Sequence, residues 1–247
     1  MNRPVMLVTG ASRGIGAAVA RLAAARGHDL VLTWRGGGSA MADTVAACEA
    51  AGAAVEAVVA DAGSAADTAR AFAACDARFG RIDAFVGNAG ITGPAGDFLS
   101  STDETWEAVF RVNVVGLASA CREALRRMAT SRGGKGGGIV LVSSRAAQIG
   151  SAFEWVHYAA SKGAVDTMVL GLAREMAGEG VRVNAVAPGM IDTDIHAEIP
   201  GRIERILPGV PMKRMGTAEE VAEAVLYLLS PAASYVTGAV LPIGGGR

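Results

Sequence analysis

The sequence predicts an α/β protein in which a doubly wound parallel sheet of about seven strands carries helices on both faces. Short runs rich in β-branched residues alternate with helical patterns along nearly the whole chain of 247 residues. Hydrophobic residues make up 51% of the chain and glycine is abundant, which suits a buried sheet under closely packed, alanine-rich helices. Repeated strand–helix–strand units with right-handed crossovers then give the doubly wound arrangement.

The first half of the chain alternates regularly between the two kinds of element. Strands are predicted at 4–9, 29–33, 54–60 and 83–88, and helices at 14–26, 39–51 and 65–79. Glycine at position 80 follows the third helix and favours its ending there. Each predicted strand is therefore followed by a helix long enough to cross over the sheet.

The second half contains longer helices and one irregular stretch. Helices are predicted at 102–131, 155–179 and 217–229, and strands at 138–143, 181–187 and 239–243. Thr217 followed by Glu220 is the pattern of a capping box. Segment 190–216 has three prolines and no clear periodicity, so we expect a substrate loop or lid there. Since no composition break divides the chain, we expect residues 1–247 to form one catalytic domain.

Composition argues against several classes of function. The formal net charge of −1 favours neither nucleic acid nor an anionic membrane as partner. No apolar run is long enough to span a bilayer, and the first residues lack the pattern of a signal peptide, so a cytoplasmic protein is predicted. The three cysteines and three histidines show no metal-ligand spacing, which predicts reduced core thiols and no metal site.

The stretch T-G-A-S-R-G-I-G, residues 9–16, lies between the first predicted strand and the first predicted helix. In a doubly wound sheet the pyrophosphate of a dinucleotide meets a helix N-terminus at this point. Gly10 would allow the tight turn, Gly14 would let backbone N–H groups approach the phosphates, and Gly16 would let the helix pack closely on the strand. The stretch therefore predicts a phosphate-binding turn.

The same stretch also fits G-x-S-x-G, the pattern around the nucleophile of serine hydrolases. Ser12 would then be the nucleophile, with Asp192 or Asp194 and His196 following in the usual chain order. Against this alternative, a nucleophile elbow normally follows several strands rather than the first one. It also leaves a later tyrosine–lysine pair unexplained.

That pair is Tyr158 and Lys162, four residues apart and thus on one face of a helix. An ammonium group beside a phenol favours the phenolate, so we expect Lys162 to lower the pKa of Tyr158 and to let it exchange a proton near neutral pH. Ser143 and Ser144 end the fifth predicted strand, where ligands bind in open α/β sheets.

Together these motifs resemble the short-chain dehydrogenase/reductase family, whose fold is Rossmann-like. The resemblance implies that Ser144 binds the substrate oxygen, Tyr158 is the general acid or base, and Lys162 binds the nicotinamide ribose and tunes Tyr158. Asn113, in V-N-V-V-G, matches the asparagine that supports a proton relay in the family. Ser144 precedes Tyr158 by 14 residues rather than the commonest 13, which leaves Ser143 as the alternative.

The resemblance extends over the whole chain. The stretch G-N-A-G at 87–90 is similar to the family's N-N-A-G, with Gly87 in place of the first asparagine. The catalytic set is Asn113, Ser144, Tyr158 and Lys162. The predicted cofactor contacts are Gly10, Ser12, Arg13, Gly14, Ile15, Gly16, Arg35, Asp61, Asn88, Ala89, Gly90, Tyr158, Lys162, Pro188, Gly189, Ile191 and Thr193.

The residues after the second predicted strand favour NADP(H) over NAD(H). They include no acid, which would repel a 2′-phosphate, whereas Arg35 and Arg13 offer guanidinium groups that fit phosphate geometry. The predicted activity is hydride transfer between the nicotinamide and a small-molecule carbonyl or secondary alcohol of sugar, ketone or 3-oxoacyl type. A cofactor-binding regulator without turnover remains the alternative from another class. Family resemblance further implies a homotetramer built through the two long helices.

The substrate itself is not fixed by these motifs. Segment 150–158 is similar to bacterial members of the family that are labelled sugar dehydrogenases. Apolar contacts are expected from Trp155, Ile191, Ile195 and Met212, and polar contacts from Glu154 and His196.

Overall fold

Seven parallel strands form a single sheet in the computed structural model, which describes residues 3–37, 39–194 and 199–247. The strand order is β3-β2-β1-β4-β5-β6-β7, so the direction of winding reverses between β1 and β4. The strands are β1 (Val5–Thr9), β2 (Asp29–Trp34), β3 (Val55–Val59), β4 (Ala84–Gly87), β5 (Gly137–Val142), β6 (Val181–Pro188) and β7 (Val240–Ile243). The predicted doubly wound, Rossmann-like fold is confirmed.

Helices connect the strands and cover both faces of the sheet. They are α1 (Gly14–Ala25), α2 (Ala40–Ala50), α3 (Ala65–Phe79), α4 (Asp103–Phe110), α5 (Leu117–Met128), α6 (Ala146–Ile149), α7 (Val156–Met176), α8 (Arg202–Ile206) and α9 (Ala218–Leu229). The capping box predicted for α9 is present: Glu220 N donates to Thr217 Oγ1 over 3.1 Å, and Thr217 N donates to Glu220 Oε2 over 2.8 Å.

Alternate residues of each central strand supply two separate cores. In β1, Met6 and Val8 belong to the core under α1, α2 and α9, whereas Val5 and Leu7 belong to the core under α3, α5 and α7. Small side chains on α1 and α9 let these helices lie close to the sheet. The three cysteines are free and buried in these cores, and burial raises the pKa of Cys75 and Cys121 to about 12.

The helix predicted at 102–131 is interrupted. Between α4 and α5, residues Arg111–Gly116 form a π-helix, in which each backbone bond spans one residue more than in an α-helix. Gly116 lies against the carbonyl oxygen of Ala62, where a Cβ would collide with it. The interruption contains Asn113, so it changes the direction of a residue that the sequence places in the site.

Segment 190–216, expected to be irregular, contains the short helix α8 and a 3-10 turn at Leu207–Gly209. Ile191 pairs with Gly216 in an isolated parallel bridge, which brings the two ends of the segment together. Ile195 and His196, both expected in the substrate pocket, lie outside the described residues. Among the helices that the structure describes, none combines the length and apolarity needed to cross a bilayer.

Candidate active site

The turn between β1 and α1 has the backbone that its glycines predict. Gly10 and Gly14 both have positive φ angles, +65° and +53°. A Cβ on Gly16 would collide with the carbonyl oxygen of Gly10, so glycine is required for α1 to lie this close to the turn. The first turn of α1 has no side-chain cap and no acidic residue. Its N–H groups and positive dipole end therefore suit a phosphate.

Asn88 joins this turn to the end of β4. Its Nδ2 donates to the carbonyl oxygens of Thr9 and Gly10, both over 2.9 Å. Thr9 Oγ1 in turn accepts from the backbone N–H groups of Asn88 and Ala89, over 3.0 and 3.1 Å. These bonds link the ends of β1 and β4, the two strands between which the direction of winding reverses.

Gly87 stands where the family pattern has an asparagine, and the structure explains how the site accommodates the difference. A Cβ on Gly87 would lie 2.5 Å from Leu117 Cδ1 and 2.9 Å from Leu141 Cδ2. The two leucines thus occupy the space beside this strand end. An asparagine side chain at position 87 would have to displace them.

Asn113 is fully buried and holds the chain after β4. Its Oδ1 accepts from Ile91 N over 2.9 Å, and its Nδ2 donates to Ile91 O over 2.8 Å and to Ser161 Oγ over 3.0 Å. A Cβ on Gly90 would lie 3.2 Å from Asn113 Oδ1 and 3.5 Å from Lys162 Nζ. The π-helix therefore ties the β4 loop to the helix that carries the tyrosine and the lysine.

Tyr158 and Ser144 lie together beside a cavity of about 370 Å³. Four predicted cofactor residues at the ends of β6 and in the loop after it, Pro188, Gly189, Ile191 and Thr193, line the same cavity, as does Ile15 of α1. A Cβ on Gly14 would touch Thr193, 3.4 Å from its Cγ2. The residues predicted around one reacting centre are thus brought together from α1, β6, α7 and the end of β5.

The two adjacent serines at the end of β5 differ in environment. Ser143 is buried, and its Oγ donates to Asp166 Oδ1 over 2.5 Å and lies 3.3 Å from Lys162 O. Ser144 lines the cavity and forms a hydrogen bond with Tyr158 that lowers the pKa of the phenol. The geometry therefore favours Ser144 over Ser143 as the residue that faces a substrate.

The prediction that Lys162 lowers the pKa of Tyr158 below its ordinary value is wrong. Burial raises the pKa of Tyr158 above its ordinary value of 10, and the hydrogen bond from Ser144 and the charge of Arg202 only partly offset this. The ammonium of Lys162 lies 5.6 Å from the tyrosine ring centroid and donates to the carbonyl of Val142 over 2.7 Å. Burial lowers the pKa of Lys162 to about 8, and Asp166 opposes this.

Arg35, Arg13 and Asp61 do not line the cavity that contains Tyr158 and Ser144. Arg35 is exposed after β2 and forms no hydrogen bond or ion pair with the described residues. Arg13 forms an ion pair with Asp194, 3.0 Å from Nη1 to Oδ2. Asp61 accepts from Gly63 N over 2.8 Å and from Arg111 Nη1 over 3.0 Å.

The hydrolase alternative finds no support in this arrangement. Asp194 is committed to Arg13, and His196 lies outside the described residues. Ser12 forms no hydrogen bond with either histidine that the structure describes: His28 bonds Ala23 O, and His157 bonds Thr92 O. Within the described part of the chain, the turn therefore offers backbone N–H groups to a ligand, and no histidine there activates the Ser12 hydroxyl.

Sequence reasoning missed three charged residues: Arg202 and Arg205, which line the cavity, and Asp166, which accepts from Ser143. Arg202 and Arg205 of α8 both pair with Glu154, and Asp166 lies one helical turn after Lys162. The four-residue spacing of Lys162 and Asp166 is visible in the sequence and could have indicated the last of these. Nothing in the sequence indicates which acid the two arginines would meet.

Fold and site define a dinucleotide-binding protein with a Ser–Tyr–Lys constellation at the end of β5. A family model described as enoyl-(acyl carrier protein) reductase matches residues 10–247. An uncharacterized oxidoreductase of Escherichia coli, YgfF, is 42% identical over 98% of this chain and 99% of its own. A galactitol 2-dehydrogenase of Cereibacter sphaeroides is 41% identical over 97% of this chain and 92% of its own. The chain belongs to the short-chain dehydrogenase/reductase family.

Solved structures agree in fold over nearly the whole length. A short-chain dehydrogenase from Burkholderia cenocepacia in complex with NADP has a TM-score of 0.91 and 33% identity, covering 99% of this chain and 97% of its own. A 3-ketoacyl-(acyl-carrier-protein) reductase from Brucella melitensis complexed with NADH has a TM-score of 0.90 and 29% identity, covering 99% and 98%.

Proposed function

We propose that the protein is a nicotinamide-dependent oxidoreductase that interconverts a small carbonyl compound and a secondary alcohol. The observation that carries the proposal is the placement of Tyr158 and Ser144 in one cavity with Ile15 at the start of α1 and the residues of the β6 loop. A phenol and a hydroxyl that meet at one point suit a carbonyl oxygen, which accepts hydrogen bonds from both. The curated relative named as a galactitol 2-dehydrogenase and the solved 3-ketoacyl reductase support this class of substrate.

The residues present fit a nicotinamide dinucleotide. The uncapped start of α1 suits the pyrophosphate, and the absence of a Cβ at Gly14 and Gly90 leaves room beside Thr193 and Lys162. When bound, such a cofactor supplies or accepts the hydride at the substrate carbon. We propose that Ile15, Pro188, Gly189, Ile191 and Thr193 hold its nicotinamide half and that Asn88, Ala89 and Gly90 form the wall beside it.

The chain's own residues handle the proton. In the reducing direction Tyr158 gives its phenolic proton to the carbonyl oxygen, and its raised pKa keeps that proton available at neutral pH. Ser144 donates a hydrogen bond to the same oxygen. Lys162 holds a ribose hydroxyl and contributes positive charge, and Asn113 positions Ile91 and Ser161 through its three hydrogen bonds.

We also propose that the protein prefers NADP(H), with Arg35 and Arg13 binding the 2′-phosphate. We further propose that it forms a homotetramer. Arg35 is exposed at the end of β2 with its donors available, which suits a 2′-phosphate. A groove between α5 and α7, lined by residues such as Leu125 and Met168, suits packing against a second copy. Light scattering of the purified protein decides the second point: a monomer contradicts it.

The decisive experiment follows reduced nicotinamide by its ultraviolet absorbance while carbonyl compounds and alcohols are screened. Tyr158→Phe should lower kcat by ~10²-fold or more, because it removes the proton donor, while cofactor binding measured by fluorescence stays the same. Tyr235→Phe is the matched control, since Tyr235 is fully exposed. Full activity in Tyr158→Phe contradicts the proposal, and cofactor binding without turnover on any compound favours a regulatory protein.

A further inference from the structure

One part of the cavity wall carries an excess of positive charge. Four arginines line the cavity: Arg145, Arg202, Arg205 and Arg247. Of the residues that the structure describes, Glu154 is the acidic side chain that lines it with them. An excess of this kind is unexpected on a chain with a net charge of −1, because the surplus is confined to one site.

Glu154 is the centre of the charged wall. The side chain is 7% exposed, and its two oxygens meet different guanidinium groups. Arg202 Nε lies 3.0 Å from Oε2, and Arg205 Nη2 lies 2.5 Å from Oε1. One arginine already neutralises a buried carboxylate, so the second leaves the trio with a net positive charge beside the cavity.

Arg202 and Arg205 differ in burial, and they therefore have different roles in the wall. The Arg202 side chain is 12% exposed and lies over the ring of Trp155, 4.7 Å from guanidinium carbon to centroid. The Arg205 side chain is 54% exposed, and its Nε and Nη1 form no hydrogen bond with any described residue. Arg202 therefore serves packing within the wall, whereas Arg205 keeps donors for a ligand.

A second observation points to a ligand at the same wall. Trp155 is 2% exposed and lines the cavity, yet its indole Nε1 is buried without a hydrogen-bond partner among the described residues. A buried N–H group without an acceptor is costly, and a native protein normally satisfies it with a ligand or water. The Trp155 ring lies 6.5 Å from that of Tyr158, so an acceptor bound there is adjacent to the reacting centre.

We propose that the substrate is a small carbonyl compound that also carries an oxyanion group, carboxylate or phosphate, and that Arg205 binds this group at the wall formed with Glu154, Trp155 and Arg202. The inference rests on the proposed oxidoreductase function and specifies its substrate class. The carbonyl lies at Ser144 and Tyr158, and the anion lies on the other side of Trp155. The cavity of about 370 Å³ also includes the residues proposed to hold the nicotinamide, so the substrate is small.

The chemical step leaves the anionic group unchanged. The carbonyl carbon gains a hydride from the reduced nicotinamide, the carbonyl oxygen gains a proton from Tyr158, and the products are the hydroxy acid or hydroxy phosphate and the oxidised cofactor. Arg205 contributes by fixing one end of the substrate, which orients the other end at the reacting centre.

Levulinate and methyl levulinate form a suitable pair of test substrates, because they share a ketone and differ in charge. We expect the wild-type protein with reduced cofactor to have a kcat/KM at least about tenfold higher for levulinate, the scale of one hydrogen bond to a charged group. Arg205→Gln should reduce this ratio about tenfold, and Arg205→Lys, which keeps the charge, should reduce it less. A phosphate ester of a hydroxyketone, tested beside levulinate, distinguishes the two anionic groups.

Arg26→Gln is the matched control. Arg26 is 43% exposed and pairs with Glu223 at 2.5 Å, much as Arg205 pairs with Glu154, but it lies outside the residues that line the cavity and outside segment 190–216. This variant should keep the wild-type ratio. A wild-type ratio of one or less overturns the inference, and so does an Arg205→Gln variant that lowers both substrates equally, since that result indicates a structural role only.

A binding measurement separates this inference from the proposed function. Succinate and inorganic phosphate are added to the protein saturated with cofactor, which blocks the phosphate sites of the β1–α1 turn, and the melting temperature is recorded. A rise in the wild type that Arg205→Gln abolishes supports the anion site even if no carbonyl compound is turned over, in which case only the proposed function fails. No rise with either anion, together with no preference for levulinate, overturns the inference.

Discussion

The ammonium of Lys162 donates to the carbonyl oxygen of Val142 over 2.7 Å, which anchors α7 to the end of β5. Lys162 is 3% exposed. This bond and the nearby carboxylate of Asp166 offset only part of the cost of burying the ammonium, because burial still lowers the pKa of Lys162 to about 8. The bond holds the lysine beside Tyr158 before any ligand arrives. Two pH-dependent properties follow from the two shifted groups.

The first concerns stability. Because the pKa of Lys162 is about 8 in the folded protein and 10.5 in its ordinary state, the folded protein binds this proton less tightly than the unfolded chain does. Below pH 8 the protonated lysine therefore costs stability in full, and the cost disappears as pH rises from 8 to 10.5. Relative to Lys162→Met, the unfolding free energy of the wild type should rise by ~3 kcal/mol over this interval.

Urea unfolding of both proteins at a series of pH values measures this difference. The buried cysteines titrate in the same range, but they are common to both proteins and cancel in the comparison. If the difference in unfolding free energy between the two proteins does not change with pH, the pKa of Lys162 is not lowered in the folded protein.

The second concerns the pH dependence of the two reaction directions. Burial raises the pKa of Tyr158 above 10, so the phenol keeps its proton through neutral pH. Reduction needs that proton and should be nearly independent of pH up to about 9, whereas alcohol oxidation needs the phenolate and should increase with pH over the same range. Arg202→Met removes a charge that lowers this pKa, so it should move the oxidation profile to higher pH.

Initial rates in both directions, with saturating cofactor, give these profiles. Arg26→Met serves as the control, because Arg26 is bound to Glu223 and does not line the cavity. An oxidation rate that already reaches its plateau near pH 7 would contradict the raised pKa.

Much of this architecture follows from the sequence. Alternation of β-branched runs and helical patterns predicts all seven strands, and the glycines of the β1–α1 turn predict its backbone, because positive φ at Gly10 and Gly14 leaves few other residue types. The π-helix around Asn113 could not be predicted: its backbone bonds span one residue more than in an α-helix, and the close approach of Gly116 to Ala62 that accompanies it is a tertiary contact.

The direction of the Tyr158 pKa shift could not be predicted from the sequence either, because it also depends on tertiary contacts. The spacing of Tyr158 and Lys162 predicts that they share a helix face, but only the folded chain shows that the ammonium is directed to Val142 O and that burial outweighs its charge. The pairing of Glu154 with Arg202 was equally hidden, because α7, β6 and an irregular segment separate the acid from the base in the sequence.

Gly16 provides a test of the close approach between α1 and the β1–α1 turn. Gly16→Ala should destabilise the protein by ~1–3 kcal/mol, since the added Cβ collides with the carbonyl oxygen of Gly10 and with Asn88 Nδ2. It should also weaken cofactor binding, because Asn88 holds the turn. Gly178→Ala is the control: nothing lies within 4 Å of its added Cβ, so its effect should stay within about 0.5 kcal/mol. Equal effects of the two changes in thermal unfolding would contradict this reading.

Cofactor preference is tested at Arg35. Arg35→Asp should shift the ratio of kcat/KM for NADPH to that for NADH toward NADH by about tenfold or more, because a carboxylate repels the 2′-phosphate and accepts from a free 2′-hydroxyl. Arg78→Asp, an equal change of charge at an exposed arginine at the end of α3, should leave the ratio unchanged. A wild type that prefers NADH contradicts the proposed preference directly.

The adjacent serines at the end of β5 should respond in opposite ways to the loss of their hydroxyls. Ser144→Ala removes the group that faces Tyr158 and should lower kcat/KM by ~10–100-fold with little change in stability, since Ser144 lines the cavity. Ser143→Ala removes a buried donor to Asp166 and leaves its carboxylate without that partner, so it should cost ~1–3 kcal/mol of stability. Asp166 raises the pKa of Lys162. Loss of the Ser143 hydrogen bond to Asp166 should therefore affect activity through Lys162 and not through a contact with the substrate. Activity measured beside urea unfolding separates the two effects, and an activity loss that is larger for Ser143→Ala would reverse the assignment made from the geometry.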